Sequence, residues 1–246
     1  QIIVRKAPRP GANIRLAGED IGAGSKVLSR GMTLRPCDIG LAASLGLTCL
    51  PVIRKPIVAI ISTGDEIMEP GEARRPGAIY NSNAYTIASY VARHGGTPRI
   101  IGTARDTEAS LNEMLDRSME ADLVLTSAGV SRGDYDVVKD VLASRGHIVN
   151  RSVRIKPARP LAFGALRTDD GREIPHIGLP GNPVAVVVAF EVFARPAILA
   201  MAGHTSLEKP TVTATLDDPI RNPDHRRVFA RVEVYVGRET GEYRGR

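Results

Sequence analysis

From Ile57 onward the sequence repeats one rhythm three times: a short, continuous apolar run, a polar loop, then a segment with helical periodicity. The runs are "IVAIIS", "PRIIGTA" and "DLVLTSA"; the periodic segments are "NAYTIASYVARHG", "TEASLNEMLDRSME" and "DYDVVKDVLASRG". A strand that alternates apolar and polar residues covers a core with one face only. An unbroken apolar run is what a strand buried on both faces requires. The second helix is the clearest, with Leu111, Met114, Leu115, Ser118 and Met119 at i, i+3, i+4, i+7 and i+8. Three such units in succession predict a parallel, doubly wound sheet with helices on both faces. Gly146 is expected to close the third helix.

The rhythm then loosens. "HIVNRSVRI", "LAFGAL" and "IPHIGL" read as strands with no helix between them, so part of the sheet is expected to be mixed. Asn182 and Pro183 supply an N-cap and a first-turn proline for a long helix running towards Gly203 and bent near Pro196. Beyond it, "TVTATLD" and "RVFARVEVYVG" alternate with period two, which predicts a small antiparallel β domain. Upstream, residues 1–55 form another unit: short β-like pieces broken by glycine, then a helix in "CDIGLAASLG" with Asp38 as cap and Gly46 as stop. The fold class is therefore α/β, with a central, mostly parallel sheet in residues 56–204. A partial, mixed N-terminal part in 1–55 and a truncated C-terminal β domain in 205–246 flank it.

Composition narrows the partners. The formal charge of +6 comes from 33 basic and 27 acidic residues scattered along the chain, and only 4% of residues are aromatic. A nucleic-acid surface would gather basic residues and aromatics together; an anionic small molecule suits the excess better. No apolar run in the sequence approaches the roughly 20 residues of a membrane span. Two cysteines, Cys37 and Cys49, lack ligand spacing and suit a reducing cytoplasm.

In a doubly wound sheet, ligands bind outside the carboxyl ends of the strands. The loops expected there carry Asp65 and Glu66 after the first strand, Asp106 after the second, and "SAGVSRGDYD" with Asp134 and Asp136 after the third. Thr63, Ser82, Ser127 and Ser131 add hydroxyls; Lys139, Lys156 and Arg159 add cations. Hard oxygen donors suit Mg²⁺, and cations with helix N-termini suit oxyanions. Each element also has a plainer reading. Asp106 or Asp134 can cap a helix, Gly129 and Gly133 can permit a turn, and "LPGNP" can stiffen one. The five histidines have no zinc spacing, and neither a Walker A loop nor G-x-G-x-x-G is present. The residues alone imply an α/β enzyme handling phosphate and Mg²⁺.

Five segments in this order and spacing carry a resemblance: "ISTGDEI", "PGEARRPGAIYNSN", "SAGVSRGDYD", "KPARPLAFG" and "GLPGNPVAVVVAFEVFARP". They are similar to the molybdopterin molybdenumtransferases of the MoeA type and to the gephyrin E-domain. The upstream "GANIRLAGEDIGAGSKVLSRGMTLRP" resembles the same family. The resemblance implies Mg²⁺-dependent insertion of molybdenum from molybdate into adenylylated molybdopterin with release of AMP. It further implies a cytoplasmic homodimer, with the molybdopterin adenylyltransferase as a further partner. By motif it assigns catalytic roles to Glu66, Asp106, Asp136 and Lys156, and the metal to Asp65, Glu66 and Asp136. Substrate binding falls to Thr63, Ser127, Gly129, Ser131, Arg159, Pro180 and Pro183, with Asp20 and Arg15 reaching the cleft from the partner subunit. The sequence departs from the family where "SGGVS" reads "SAGVS" and "KPGKP" reads "KPARP", at Ala128, Ala158 and Arg159. A non-catalytic molybdopterin-binding or scaffold module, or an adenylyltransferase of the same fold, are the alternatives.

Overall fold

The structure, a computed structural model, describes residue 3 and residues 5–128, 137–223, 225–237 and 241–246. The chain separates into two compact units, Gln1–Leu50 and Pro51–Arg246. In the first, helix α1 (Pro36–Ser44) opens two residues before Asp38. Asp38 is thus not the N-cap expected from the sequence. It occupies the third helical position and accepts from the Arg35 amide at 2.8 Å, one half of a capping box. Gly46 follows the helix at φ 78°, the left-handed stop expected of it.

The second unit contains the sheet. Its elements are β1 (Ile57–Thr63), β2 (Ile67–Met68), β3 (Ile79–Tyr80), α2 (Ser82–Arg93), β4 (Thr97–Ala104), α3 (Glu108–Asp116) and β5 (Leu123–Ser127). They continue through α4 (Val137–Ser144), β6 (Gly146–Ser152), β7 (Ile155–Lys156), β8 (Pro160–Arg167) and β9 (Glu173–Leu179). Six strands form one sheet in the order β4-β1-β5-β9-β8-β6. β4, β1, β5 and β9 are parallel, and β8 runs antiparallel to both β9 and β6. The sheet is mostly parallel and mixed where the sequence lost its helices.

The apolar runs are buried as their continuity required: Val58, Ala59, Ile60 and Ile61 of β1 are fully covered. Alternate residues feed two cores. Val58, Ile60, Leu123 and Leu125 pack with Ile87, Val91, Val186 and Phe190 from the side of α2 and the helix after β9. Ala59, Ile61 and Val124 pack with Leu111, Leu115, Val141 and Leu142 of α3 and α4. The α3 helix ends at Asp116, short of the stretch expected, yet Ser118 remains buried in the turn that follows.

Gly146 does not close α4; it opens β6. A Cβ there would lie 2.1 Å from the Ala165 carbonyl oxygen, so the residue is fixed by the close approach of β8. After β9, Asn182 caps α5 (Pro183–Ala189), accepting from the Val184 and Ala185 amides at 3.0 and 3.3 Å. The helix passes through a π-helical turn, Phe190–Ala194, into α6 (Arg195–Met201). The expected bend at Pro196 is therefore this wide turn, which relieves the clash of the proline ring with the preceding turn. The combined helix Pro183–Met201 has 19 residues, so among the described residues one helix is long and apolar enough to cross a membrane. That corrects the sequence expectation. Its composition follows from its position, since Ala185, Val186, Ala189, Phe190, Ala194 and Ile198 cover the sheet.

The C-terminal strands are β10 (Thr215–Leu216), β11 (Arg227–Val228), β12 (Val234–Val236) and β13 (Tyr243–Gly245). The expected antiparallel domain is a mixed sheet instead. β12 and β13 are antiparallel, whereas β10 lies parallel to β13. The 26 residues between those two strands are enough for a crossover. β11 leaves that sheet altogether and pairs with β7.

One buried polar pair crosses the middle of the main sheet. The Thr126 hydroxyl lies 3.1 Å from Nε2 of His176, which is fully buried, and desolvation pushes the imidazole down to about 4. The unfolded ring takes up a proton near 6.5. Between these two values the unfolded state binds more protons, so stability falls as pH drops through that window. The gap corresponds to roughly 3 kcal/mol. Urea unfolding at pH 7 and pH 4.5 is expected to show a larger loss in the native chain than in His176→Gln; equal losses would remove His176 as the cause.

Candidate functional site

The order β4-β1-β5 reverses the direction of winding at β1. Helix α2, joining β1 to β4, covers one face, and α3, joining β4 to β5, covers the other. The carboxyl ends of β1 and β5 consequently open on a crevice, the usual ligand position in such sheets. The strand register makes the ends flush: Thr63 is opposite Ala104 of β4, and Ser62 is opposite Ser127 of β5.

The floor of the crevice is made by Thr63 and Ser127, both buried. Thr63 Oγ1 donates to the Ser127 carbonyl at 3.4 Å. Asn83, in the first turn of α2, donates from Nδ2 to Ser127 Oγ at 3.0 Å and to the Gly181 carbonyl at 2.8 Å. One amide thus ties the ends of β5 and β9 to α2. Sequence reasoning gave Asn83 no role. Its signal was present in "YNSN", where Asn81 is the N-cap of α2 and Asn83 follows two residues later.

Asp65 and Glu66 follow β1 and are exposed. Glu66 folds its carboxylate back over Gly64, so closely that a Cβ at Gly64 would lie 2.6 Å from Glu66 Oε2; this glycine also holds φ at 132°. Asp106 follows β4, and its amide donates to Asp65 Oδ1 at 3.3 Å. The β1 and β4 loops are therefore in direct contact at the carboxyl edge where the sequence placed their acids. Glu69 lies beyond the acidic pair and gathers three donors: Asn81 Nδ2 at 2.8 Å, Thr103 Oγ1 at 2.9 Å and the Tyr85 hydroxyl at 3.2 Å. The hydrogen bond to the Glu69 carboxylate pushes the Tyr85 phenol upward. Asn81 also accepts from Ser62 Oγ at 3.0 Å, which carries the network to β1.

At the other end of the edge is the β6–β8 connection. It holds Lys156 and Arg159, both exposed, and Arg159 Nε donates to Ser152 Oγ at 2.8 Å. The connection is braced from below: Ile155 and Ala158 are buried in the core on the α2 side, with Phe229 packed against it. The Phe229 amide donates to the Lys156 carbonyl at 2.8 Å. Pro180 is buried, and Pro183 starts α5 beside it. From β1 to β8 is three strand steps, so the acidic loops and the cationic connection are separated along the edge by about 14 Å.

Gly129, Ser131, Asp134 and Asp136 lie outside the described residues, as does the Lys139 side chain. Among the described residues no three His, Cys, Asp or Glu side chains gather as a metal cage. Mg²⁺ needs less than a cage, because it is held through one or two carboxylates while waters and substrate oxygens complete its shell. The exposed Asp65 and Glu66 carboxylates, with the Asp106 loop against them, fit that requirement. Arg15 and Asp20 belong to the first unit, where Arg15 Nη1 pairs with Asp20 Oδ2 at 2.5 Å on an exposed surface.

The profile described as "Probable molybdopterin binding domain" matches residues 59–200, and that of the "MoeA N-terminal region (domain I and II)" matches residues 1–46. The chain belongs to the molybdopterin-binding domain family, as a MoeA-type member. It is 38% identical to "Molybdopterin molybdenumtransferase 2" of Mycobacterium tuberculosis, over 94% of this chain and 57% of that protein. It is 36% identical to the molybdopterin molybdenumtransferase of a Nostoc species, over 96% of this chain and 53% of that one. The crystal structure of a MoeA molybdopterin biosynthesis protein from Pyrococcus horikosii superposes with a TM-score of 0.73 at 28% identity, over 93% of this chain and 54% of that chain. The chain spans about half the length of the curated relatives it matches.

The two alanines that depart from the resembled motifs both hold left-handed backbone, Ala128 at φ 75° and Ala158 at φ 73°. Each stays in the conformation a glycine would adopt, at a cost of about 1–2 kcal/mol. Ala128 follows β5, with its amide donating to the Leu179 carbonyl at 3.1 Å. Ala158 is buried, so its methyl returns about 0.8 kcal/mol. Ala128→Gly is therefore expected to stabilise by up to about 1 kcal/mol once the added freedom of the unfolded chain is subtracted. Ala158→Gly should be close to neutral. Denaturant midpoints check both, and a loss of stability in Ala128→Gly would contradict the account.

Proposed function

We propose that this chain supplies the catalytic half of a molybdopterin molybdenumtransferase. In this reading it takes adenylylated molybdopterin and molybdate, releases AMP and inserts molybdenum into the dithiolene. The observation that carries the reading is the separation of charge along the sheet edge, with Asp65, Glu66 and Asp106 at one end and Lys156 and Arg159 at the other. An adenylylated pterin is an extended molecule with an anionic bridge, and a site of this kind can engage both ends of it. The similarity to named molybdenumtransferases supports the same reading.

Attack on a phosphoanhydride needs positioning and charge stabilisation more than covalent chemistry. Asp65 and Glu66, with Asp136, would hold Mg²⁺, which when bound neutralises charge developing on the phosphate oxygens. Thr63, Ser127 and Asn83 supply hydrogen bonds at the centre of the crevice, and the "LPGNP" turn from Pro180 to Pro183 gives it a stiff wall. Lys156 and Arg159 hold oxyanions, Arg159 with a planar fork and Lys156 with a point charge. Asp106 orients the Asp65 loop through its amide. No side chain is needed as a nucleophile. Arg15 and Asp20 of a second subunit would complete the cleft in a cytoplasmic homodimer, to which an adenylyltransferase could deliver substrate.

The test is incubation of the full-length protein with adenylylated molybdopterin, Mg²⁺ and molybdate. AMP release is expected, and Lys156→Ala should reduce it by about 100-fold, the scale of one lost electrostatic contact. Tight pterin binding without AMP release would favour a non-catalytic binding module instead, and ATP-dependent adenylylation of molybdopterin would favour the adenylyltransferase.

A further inference from the structure

The segment from Gly64 to Asn81 contains both the acidic pair and an excursion in which β2 and β3 pair in parallel. Its start is fixed by the Gly64 amide on the Ala104 carbonyl at 3.1 Å, and the Ile67 amide closes a turn on the Gly64 carbonyl at 3.2 Å. Asp65 and Glu66 sit inside that turn. Four residues after Asp65, the half-buried Glu69 collects hydrogen bonds from three side chains on two elements. Thr103 belongs to β4, Asn81 caps α2, and Tyr85 lies one turn into that helix. No Lys, Arg or His lies within ion-pair distance of Glu69 among the described residues, so its charge is balanced by neutral donors alone.

Besides the Gly64–Ala104 backbone bond, two ties made by side chains join the β1 loop to the end of β4. One is the Asp106 amide on Asp65, at the edge itself. The other is Thr103 on Glu69, three residues before Asp106 and beneath the edge. A carboxylate that accepts three directed bonds fixes its own backbone more firmly than one exposed bond of 3.3 Å can. It also adds a fourth negative charge close to Asp65, Glu66 and Asp106.

We propose that Glu69 is a positioning residue: its network with Thr103, Asn81 and Tyr85 holds Asp65 and Glu66 beside Asp106 in the arrangement that receives a divalent cation. The inference rests on the cation site in the functional reading above. Glu69 itself need not touch the cation or the substrate.

Mn²⁺ serves as the probe, titrated into the full chain and followed by electron paramagnetic resonance, with Asp65→Asn as the reference for loss of the site. Glu69→Ala is expected to weaken Mn²⁺ binding by about tenfold or more, the usual effect of removing a group that orients a metal ligand. Glu69→Gln should stay within about threefold of the native chain, because its carbonyl still accepts from Asn81 and Thr103. Thr103→Val, which keeps the side-chain shape, tests the same tie if Glu69→Ala fails to fold, and should also weaken binding. In AMP release, Glu69→Ala should raise the metal requirement and leave KM for the pterin substrate unchanged. Native Mn²⁺ affinity in both Glu69→Ala and Thr103→Val, with affinity lost in Asp65→Asn, would overturn the proposal while leaving the cation site intact. Mn²⁺ binding that is absent from the native chain, or unaffected by Asp65→Asn, would overturn both. Expected Mn²⁺ behaviour without any AMP release would sink only the functional reading and support the role of Glu69.

Discussion

The site depends on the pairing of β1 with parallel strands on both sides. With β4 and β5 in register against it, three carboxyl ends finish at one level, and every loop that follows begins from a common edge. Because the winding reverses at β1, the helices leave on opposite faces and the edge stays open between them. The apolar runs make this possible, since only a strand that tolerates burial on both faces can occupy the middle of such a sheet. The polar groups at the strand ends, Thr63 and Ser127, are then buried by position and satisfied by each other and by Asn83.

Among the described residues, Asp65, Glu66 and Asp106 follow β1 and β4, Thr63, Ser127 and Asn83 form a hydrogen-bonded centre at β1, β5 and α2, and Lys156 and Arg159 sit on the β6–β8 connection. Had Lys156 and Arg159 been next to Asp65 and Glu66, the two sets would have formed ion pairs. Held apart by the intervening strands, the described acids and cations do not pair with each other across the edge. The β8 strand matters here in a way its sequence does not advertise. Running antiparallel, it brings its first residue, Pro160, to the same edge as the last residue of β9, and so delivers the cationic connection to the site.

What could be read from the sequence was whatever local pattern decides. The three strand–helix units, the Asn182 cap and the Gly46 stop each depend on a few neighbouring residues, and the structure has them. Acidic residues after β1 and β4 could be placed at one edge because parallel topology leaves them no other position. The misreadings have separate causes. Gly146 looked like a helix stop, but the close passage of β8, distant in sequence, explains it. Asp38 looked like a cap, but Pro36 had already begun the helix. The C-terminal strands looked antiparallel because period-two alternation carries no direction. Asn83 and Glu69 were overlooked because their partners lie between 12 and 98 residues away. Nothing in a single segment shows that an amide or a carboxylate will collect several bonds.

The central claim is that one extended ligand lies along the carboxyl edge with its metal-bearing end over β1 and β4. A crystal structure of the full chain with AMP and Mn²⁺ bound, read through the anomalous signal of manganese, tests it most directly. The account predicts a manganese peak at Asp65 and Glu66, with the nucleotide in the crevice above Thr63 and Ser127. A peak at the amino edge of the sheet, or nucleotide bound over a helix face away from that crevice, would contradict it.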